Sequence, residues 1–132
     1  MKDMVKVVIR GKEVNIDRGC VPMVNFFNSI GFNTKFCCQG HEGESLEFNI
    51  MFEEILSQED IVDFIKHFRN QHNHTSLWGK FKLWCREING NPSFNWIYEA
   101  PNLGCANEDL EKFKKADLSK DFIKREGIKI LE

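Results

Sequence analysis

The sequence predicts an α+β fold, a largely antiparallel sheet with helices on one face, in a ββα, ββα, ββα order with a short tail. Three observations carry this expectation. Apolar residues alternate with polar ones in paired segments around turn residues, as in Val5, Val7 and Ile9 before Gly11, and Phe81 and Leu83 before Asn89-Gly90. A segment with apolar residues at helical spacing follows each pair. The connections are short, as antiparallel neighbours allow. At 132 residues the chain fits a single domain, 1–132, and no internal sequence repeat underlies the rhythm.

Taken in order, Val5, Val7 and Ile9 form a first strand, Gly11-Lys12-Glu13 a turn, and Val14-Asn15-Ile16 the return. Pro22 suits a first helical turn and Gly31 a left-handed C-terminal residue, so Val21 to Ile30 reads as a helix with Met23, Val24, Phe27 and Ile30 inward. Thr34 to Cys38 is a strand, and so is Ser45 to Phe52, with Leu46, Phe48, Ile50 and Phe52 facing the core. Ser57 and Asp60 resemble a helix cap, and Ile61, Val62, Phe64, Ile65 and Phe68 then follow at helical spacing over 58–70. Gly79 to Ile88 and Ser93 to Tyr98 form the third hairpin around Asn89-Gly90-Asn91-Pro92. Asn107 is expected to cap a helix carrying Leu110 and Phe113, and Ser119 a short turn with Phe122 and Ile123. Ile128 to Leu131 adds a last strand whose exposed edge suggests a homodimer. The expected core is Val24, Phe27, Phe48, Ile50, Ile61, Phe64, Ile65, Phe68, Phe81 and Leu83.

The hydrophobic fraction of 42%, with 12 Phe and 3 Trp, can bury enough apolar area to offset chain entropy, which excludes a disordered chain. The 18 Lys and Arg nearly cancel the 20 Asp and Glu, which argues against bulk nucleic acid as a partner; any anion site must be local. The start of the chain has no secretory apolar run, and nothing approaches the ~20 apolar residues of a membrane span, so a cytoplasmic protein without membrane contact is expected. Five unevenly spaced cysteines do not form a secreted disulfide framework, so reduced thiols are expected.

The richest chemistry lies in Thr34 to Glu44, where a strand runs into Cys37, Cys38, Gln39, Gly40 and His41. Gly40 and Gly43 allow close approach of the main chain to a ligand. Cys38 and His41, in C-x-x-H spacing, are half of a zinc ligand set, and His67, His72, His74, Cys85 and Cys105 are the candidates for the other half, His67-x₄-His72 having the most suitable spacing. The same two residues are the candidate catalytic pair, a thiolate and its base, although no orienting Asp or Asn can be named. A small buried thiol beside a loop histidine is the simpler alternative.

The helix, glycine, threonine strand and Cys-x-Gly-His succession resembles a pattern in short phage and bacterial proteins. Asp17 to His41 is also similar in layout to the start of the wybutosine-synthesising tRNA methyltransferase family, whose strand end reads Ser-Cys-Ser-Gly-Arg after a Thr-Thr pair. Cys37, Cys38, Gln39, Gly40 and His41 occupy those places, with Cys38 and Gly40 keeping their type and His41 standing for the arginine. The likeness covers about a fifth of the chain, and the methyl-donor site has no counterpart, so no reaction is carried over.

In the third hairpin, a period of two places Phe81, Leu83 and Cys85 on one face and Lys80, Lys82, Trp84 and Arg86 on the other. Cations around a tryptophan can stack a base and neutralise phosphates, though a solvated sheet face reads the same way. Phe94, Trp96 and Tyr98 share the face of the returning strand assigned to the core. Three readings follow. The favoured one is a non-enzymatic binding protein for a nucleotide or other small anion, using Gln39, Gly40 and His41 with Lys82, Trp84 and Arg86. The alternatives are a small zinc- or cysteine-dependent enzyme centred on Cys38 and His41, and an inhibitor that binds a protein partner. The first is favoured because the acidic residues fall mostly on expected helix faces and loops, leaving no acid/base constellation.

Overall fold

The computed structural model describes residues 3–41, 45–71, 76–115 and 127–131, and within 67–71 the backbone only. Its elements are β1 (Met4–Ile9), β2 (Lys12–Asp17), a 3-10 turn (Arg18–Cys20), α1 (Val21–Ser29), β3 (Thr34–Cys38), β4 (Phe48–Phe52), α2 (Gln58–Gln71), β5 (Lys80–Ile88), β6 (Asn91–Ala100), α3 (Leu103–Lys115) and β7 (Lys129–Leu131). Helices mixed with antiparallel sheets make this an α+β protein. The expectation of one sheet is corrected to two, ordered β2-β1-β7 and β3-β4-β6-β5. Periodicity reveals strands but not their lateral partners, which are chosen by tertiary packing.

The hairpin turns explain themselves. Arg10 and Gly11 have φ of 48° and 81°, and Asn89 and Gly90 of 52° and 82°. Two successive positive φ values make the turn whose twist matches that of the flanking strands. The first turn thus falls at Arg10-Gly11, one residue earlier than the spacing suggested, and Lys12 already pairs with Ile9.

Pro22 opens α1, and Gly31 closes it at φ 87°. Between them Met23, Val24 and Phe27 are buried. Asn28 is buried too, donating to Val24 O at 2.7 Å and Thr34 Oγ1 at 2.9 Å, while Arg10 donates to its Oδ1. One polar side chain therefore ties helix, strand and hairpin turn together. Ser57 and Asp60 cap α2 reciprocally: Ser57 N donates to Asp60 Oδ2 at 3.0 Å and Asp60 N to Ser57 Oγ at 3.2 Å. At α3 the cap is Asn102, whose Oδ1 accepts from Cys105 N at 2.8 Å; Asn107 lies inside the helix. The chain turns helical earlier because Asn102, after Pro101, already offers a capping carbonyl.

Packing joins both sheets and all three helices in one core. Val5, Val7 and Ile16 reach it from the three-stranded sheet, Phe48, Ile50, Phe52 and Tyr98 from the four-stranded sheet, and Phe27, Phe64 and Phe113 from the helices. Phe64 meets Phe113 edge-on with centroids 5.1 Å apart and Phe81 at 5.9 Å. Ile65 and Phe81 are partly buried against this cluster, and the side chain of Phe68 lies outside the described residues. Leu83 is corrected: it is 51% exposed, as is Phe94 across the hairpin. Both lie on the inward face, which is open to solvent toward the turn end of the β5–β6 hairpin. Leu46 is exposed as well, because β4 begins only at Phe48.

β7 pairs with β1, Val7 opposite Ile130, and stands at the edge of the three-stranded sheet. Ser119, Phe122 and Ile123 lie outside the described residues. Among the described residues no helix is long and apolar enough to cross a membrane.

Candidate metal centre

β2 and β3 belong to different sheets, yet their C-terminal ends meet. Each strand ends in a polar residue followed two positions later by glycine: Asp17, then Gly19; Cys38, then Gly40. The two ends bind each other, Gly19 N donating to Gln39 Oε1 at 2.6 Å and Gln39 N to Asp17 Oδ2 at 3.0 Å. A Cβ on Gly19 would press on Gln39 Oε1 and Leu103 Cδ2, so a larger residue there would displace the Gln39 side chain that Gly19 N holds. Gly40, at φ 87°, brings the loop back against Leu46 O, and His41 N donates to Ser45 O at 2.9 Å. The loop amides of Gln39 and His41 are thus engaged within the protein.

This closure gathers Asp17, Cys38 and His41. Each offers one ligand atom, and the three atoms all lie within 4.8 Å of one another. Asp17 is 6% exposed, Cys38 and His41 are half-buried, and His41 Nε2 stands 3.3 Å from Asp17 Oδ2. Two such ligands bound at about 2.0–2.2 Å to one tetrahedral zinc stand about 3.3–3.6 Å apart, so the observed separation suits a shared ion. Gln39 N donates to that same Asp17 oxygen at 3.0 Å and so orients the carboxylate toward His41.

Beneath the cluster lie two more thiols. Cys20, fully buried at the end of the 3-10 turn, is in hydrogen-bonding contact with Cys37. That contact, with burial, pushes the Cys20 thiol far up, and the same contact holds the Cys37 thiol below its ordinary range. Cys20 therefore stays protonated and donates, while Cys37 is the first of the pair to ionise. All five cysteines are free.

The structure joins Cys38 and His41 as the C-x-x-H spacing suggests, but the third group is Asp17, 21 positions before Cys38 in the chain. His72 and His74 lie outside the described residues, and so does the side chain of His67. Cys85 is exposed on β5, and Cys105 is in the first turn of α3. Asp17 had a signal in the sequence, an acid closing an alternating strand just before a glycine, but nothing in spacing linked it to a loop so far along.

The expected anion face is elsewhere. Cys38 pairs with Asn49, Asn49 with Glu99 and Glu99 with Lys80, so three strand spacings, about 14 Å, separate Cys38 from the Lys80 end of β5. Gln39, Gly40 and His41 are therefore not brought together with Lys82, Trp84 and Arg86. Lys82 Nζ pairs with Glu99 Oε1 at 2.8 Å, which holds the lysine up. Glu47 shares a hydrogen bond with Glu99, raising Glu47 and lowering Glu99. Trp84 is 42% exposed, with the Arg86 guanidinium 5.3 Å from its ring centroid, and Arg86 Nε is buried without a hydrogen-bond partner among the described residues. Compared with known proteins, this chain matches no family model, no curated protein and no solved structure.

Proposed function

We propose that this protein binds a divalent metal, zinc by the chemistry of the donors, through Asp17, Cys38 and His41. The supporting observation is the convergence of carboxylate, thiol and imidazole within 4.8 Å at the meeting of two strand ends. These are the three zinc-ligand types, and a set of three, as found among the described residues, leaves a fourth position for water or for a group on a ligand, as in sites that perform chemistry rather than staple a fold. Purified protein reconstituted with zinc and measured by elemental analysis is expected to hold one ion per chain. Asp17→Asn, Cys38→Ser and His41→Ala are each expected to weaken uptake by more than about 100-fold, since even outer-shell partners commonly contribute 10–100-fold. Zinc uptake unaffected by all three changes would refute the assignment.

A second reading has its own support. Asp17, 3.3 Å from His41, supplies the orienting acid that a Cys38 nucleophile with a His41 base requires. Rapid alkylation of Cys38 by iodoacetamide in protein that takes up no metal, slowed by His41→Ala, would favour that chemistry instead. Binding of a nucleotide-like anion at Trp84 is a weaker proposal. Arg86 already stacks on the ring a base would use, and Glu99 already neutralises Lys82.

A further inference from the structure

Beside the Asp17 end of the two strands, a cleft of about 480 Å³ runs between β2 and β3. Its lining includes Val14, Asn15, Ile16 and Asp17 from β2 and Thr34, Lys35, Phe36 and Cys37 from β3. The runs are consecutive. A strand shows only every second residue on a face, so four successive residues in one wall mean that the cleft looks onto the strand edge, where the main chain lies. Both strands are terminal in their sheets, and β2 packs beside β3 without pairing to it. Two main-chain edges therefore border one groove.

The ends of the groove are closed by side chains. At one end Arg10 Nη2 donates to Thr34 O at 2.9 Å. At the other, Asp17 and Gln39 are joined through the carboxylate. Between these closures the walls present Val14, 38% exposed, and Phe36, 64% exposed, beside Asn15 and Lys35. Such apolar exposure on edge strands is a liability unless something covers it. A register shift between Thr34 and Phe36 marks a bulge that turns this part of β3 out of the regular ladder.

Charge identifies the occupant. Arg10, Lys12 and Lys35 line the end far from Asp17, with Glu53 the acid among them. Arg10 bonds Glu53, and Lys35 pairs with Glu54. Lys12, among the described residues, has no ion-pair partner. At about 3.3 Å per residue, the stretch from Lys12 to Ile16 accommodates roughly three to four extended residues. An extended segment can satisfy unpaired strand edges while apolar side chains meet Val14 and Phe36. A compact sugar or nucleotide has no comparable use for two main-chain edges.

We propose that the cleft between β2 and β3 is a strand-addition site for a short extended peptide that presents an acidic residue to Lys12 and apolar residues to Val14 and Phe36. This does not require the metal reading, although the peptide's far end would lie against Asp17 and Cys37.

The test uses the full chain, zinc-treated and zinc-free, with fluorescently tagged, end-blocked hexapeptides of alternating valine and threonine ending in two aspartates. Controls are the same peptide ending in two lysines, and the aspartate peptide with alternate amides N-methylated. We expect saturable binding of the aspartate peptide, at least tenfold weaker binding of either control, and slowed amide hydrogen exchange confined to residues 12–17 and 34–38. Phe36→Asp is expected to weaken binding at least tenfold and Lys12→Glu to abolish the preference for aspartate, and both exposed sites should leave melting unchanged. No binding by any peptide, indifference to N-methylation, or protection centred on β5 would overturn the proposal. Zinc content measured on the same samples separates the two ideas: peptide binding without zinc uptake sinks the metal assignment alone, and zinc uptake without peptide binding sinks this one alone.

Discussion

Tyr98 is the chain's single tyrosine and is fully buried, with its hydroxyl donating to Asp109 Oδ2 at 2.6 Å. Asp109, also fully buried, accepts from Trp78 N at 2.9 Å and Gly79 N at 2.8 Å as well. Burial and the neighbouring carboxylate push the Tyr98 hydroxyl well above its ordinary value of 10.0. The folded state thus favours the protonated phenol. Its contribution to stability is complete below about pH 10, the unfolded tyrosine value, and is lost as pH rises beyond it. With one tyrosine, tyrosinate absorbance reads this site directly. The band should appear only together with alkaline unfolding seen by circular dichroism; a smooth titration near pH 10 in folded protein would contradict the burial. Asp109→Ala leaves three donors without their acceptor and is expected to cost at least 3 kcal/mol, at about 1–3 kcal/mol per buried unsatisfied group. Neither this triad nor the role of Asp17 was legible in the sequence. Both acids recruit partners more than ten positions away, and local spacing carries no record of such encounters.

At the level of elements, legibility followed the locality of the cause. The Ser57–Asp60 cap, Pro22, Gly31 and the Asn89-Gly90 turn act within four residues, and each marked its element. Leu83 shows the opposite case, because periodicity gave its face correctly and could not reveal that the residue stays half exposed there. Two truncations separate these kinds of cause. Asn102→Ala removes the carbonyl that holds Cys105 N, and should lower stability by about 1 kcal/mol, the usual contribution of an N-cap. Phe64→Ala removes a fully buried ring in contact with Phe27, Phe81 and Phe113, and should cost roughly 3–5 kcal/mol. Chemical denaturation of both variants gives the comparison. A loss below 1 kcal/mol for Phe64→Ala would mean that α2 is packed differently.

For the whole molecule, the candidate centre sits where the two sheets touch, since Asp17 ends β2 of one sheet and Cys38 ends β3 of the other. An ion held by both would add a cross-link between the sheets to the bonds that Gln39 makes with Asp17 and Gly19. Binding confined to the folded state stabilises it by mass action, about 2.7 kcal/mol at free zinc one hundred times the dissociation constant. For a chain of this size that is roughly 8–11 °C in melting temperature, at about 3–4 °C per kcal/mol. Zinc should therefore raise the melting temperature of the native sequence, and a chelator should reverse the rise. Asp17→Asn keeps the size of the side chain but weakens the donor and should lose most of the shift, whereas Cys85→Ser, far along β5, should retain it. If Asp17→Asn and the native sequence respond equally to zinc, the ion is bound elsewhere and the two sheets are not joined through this site.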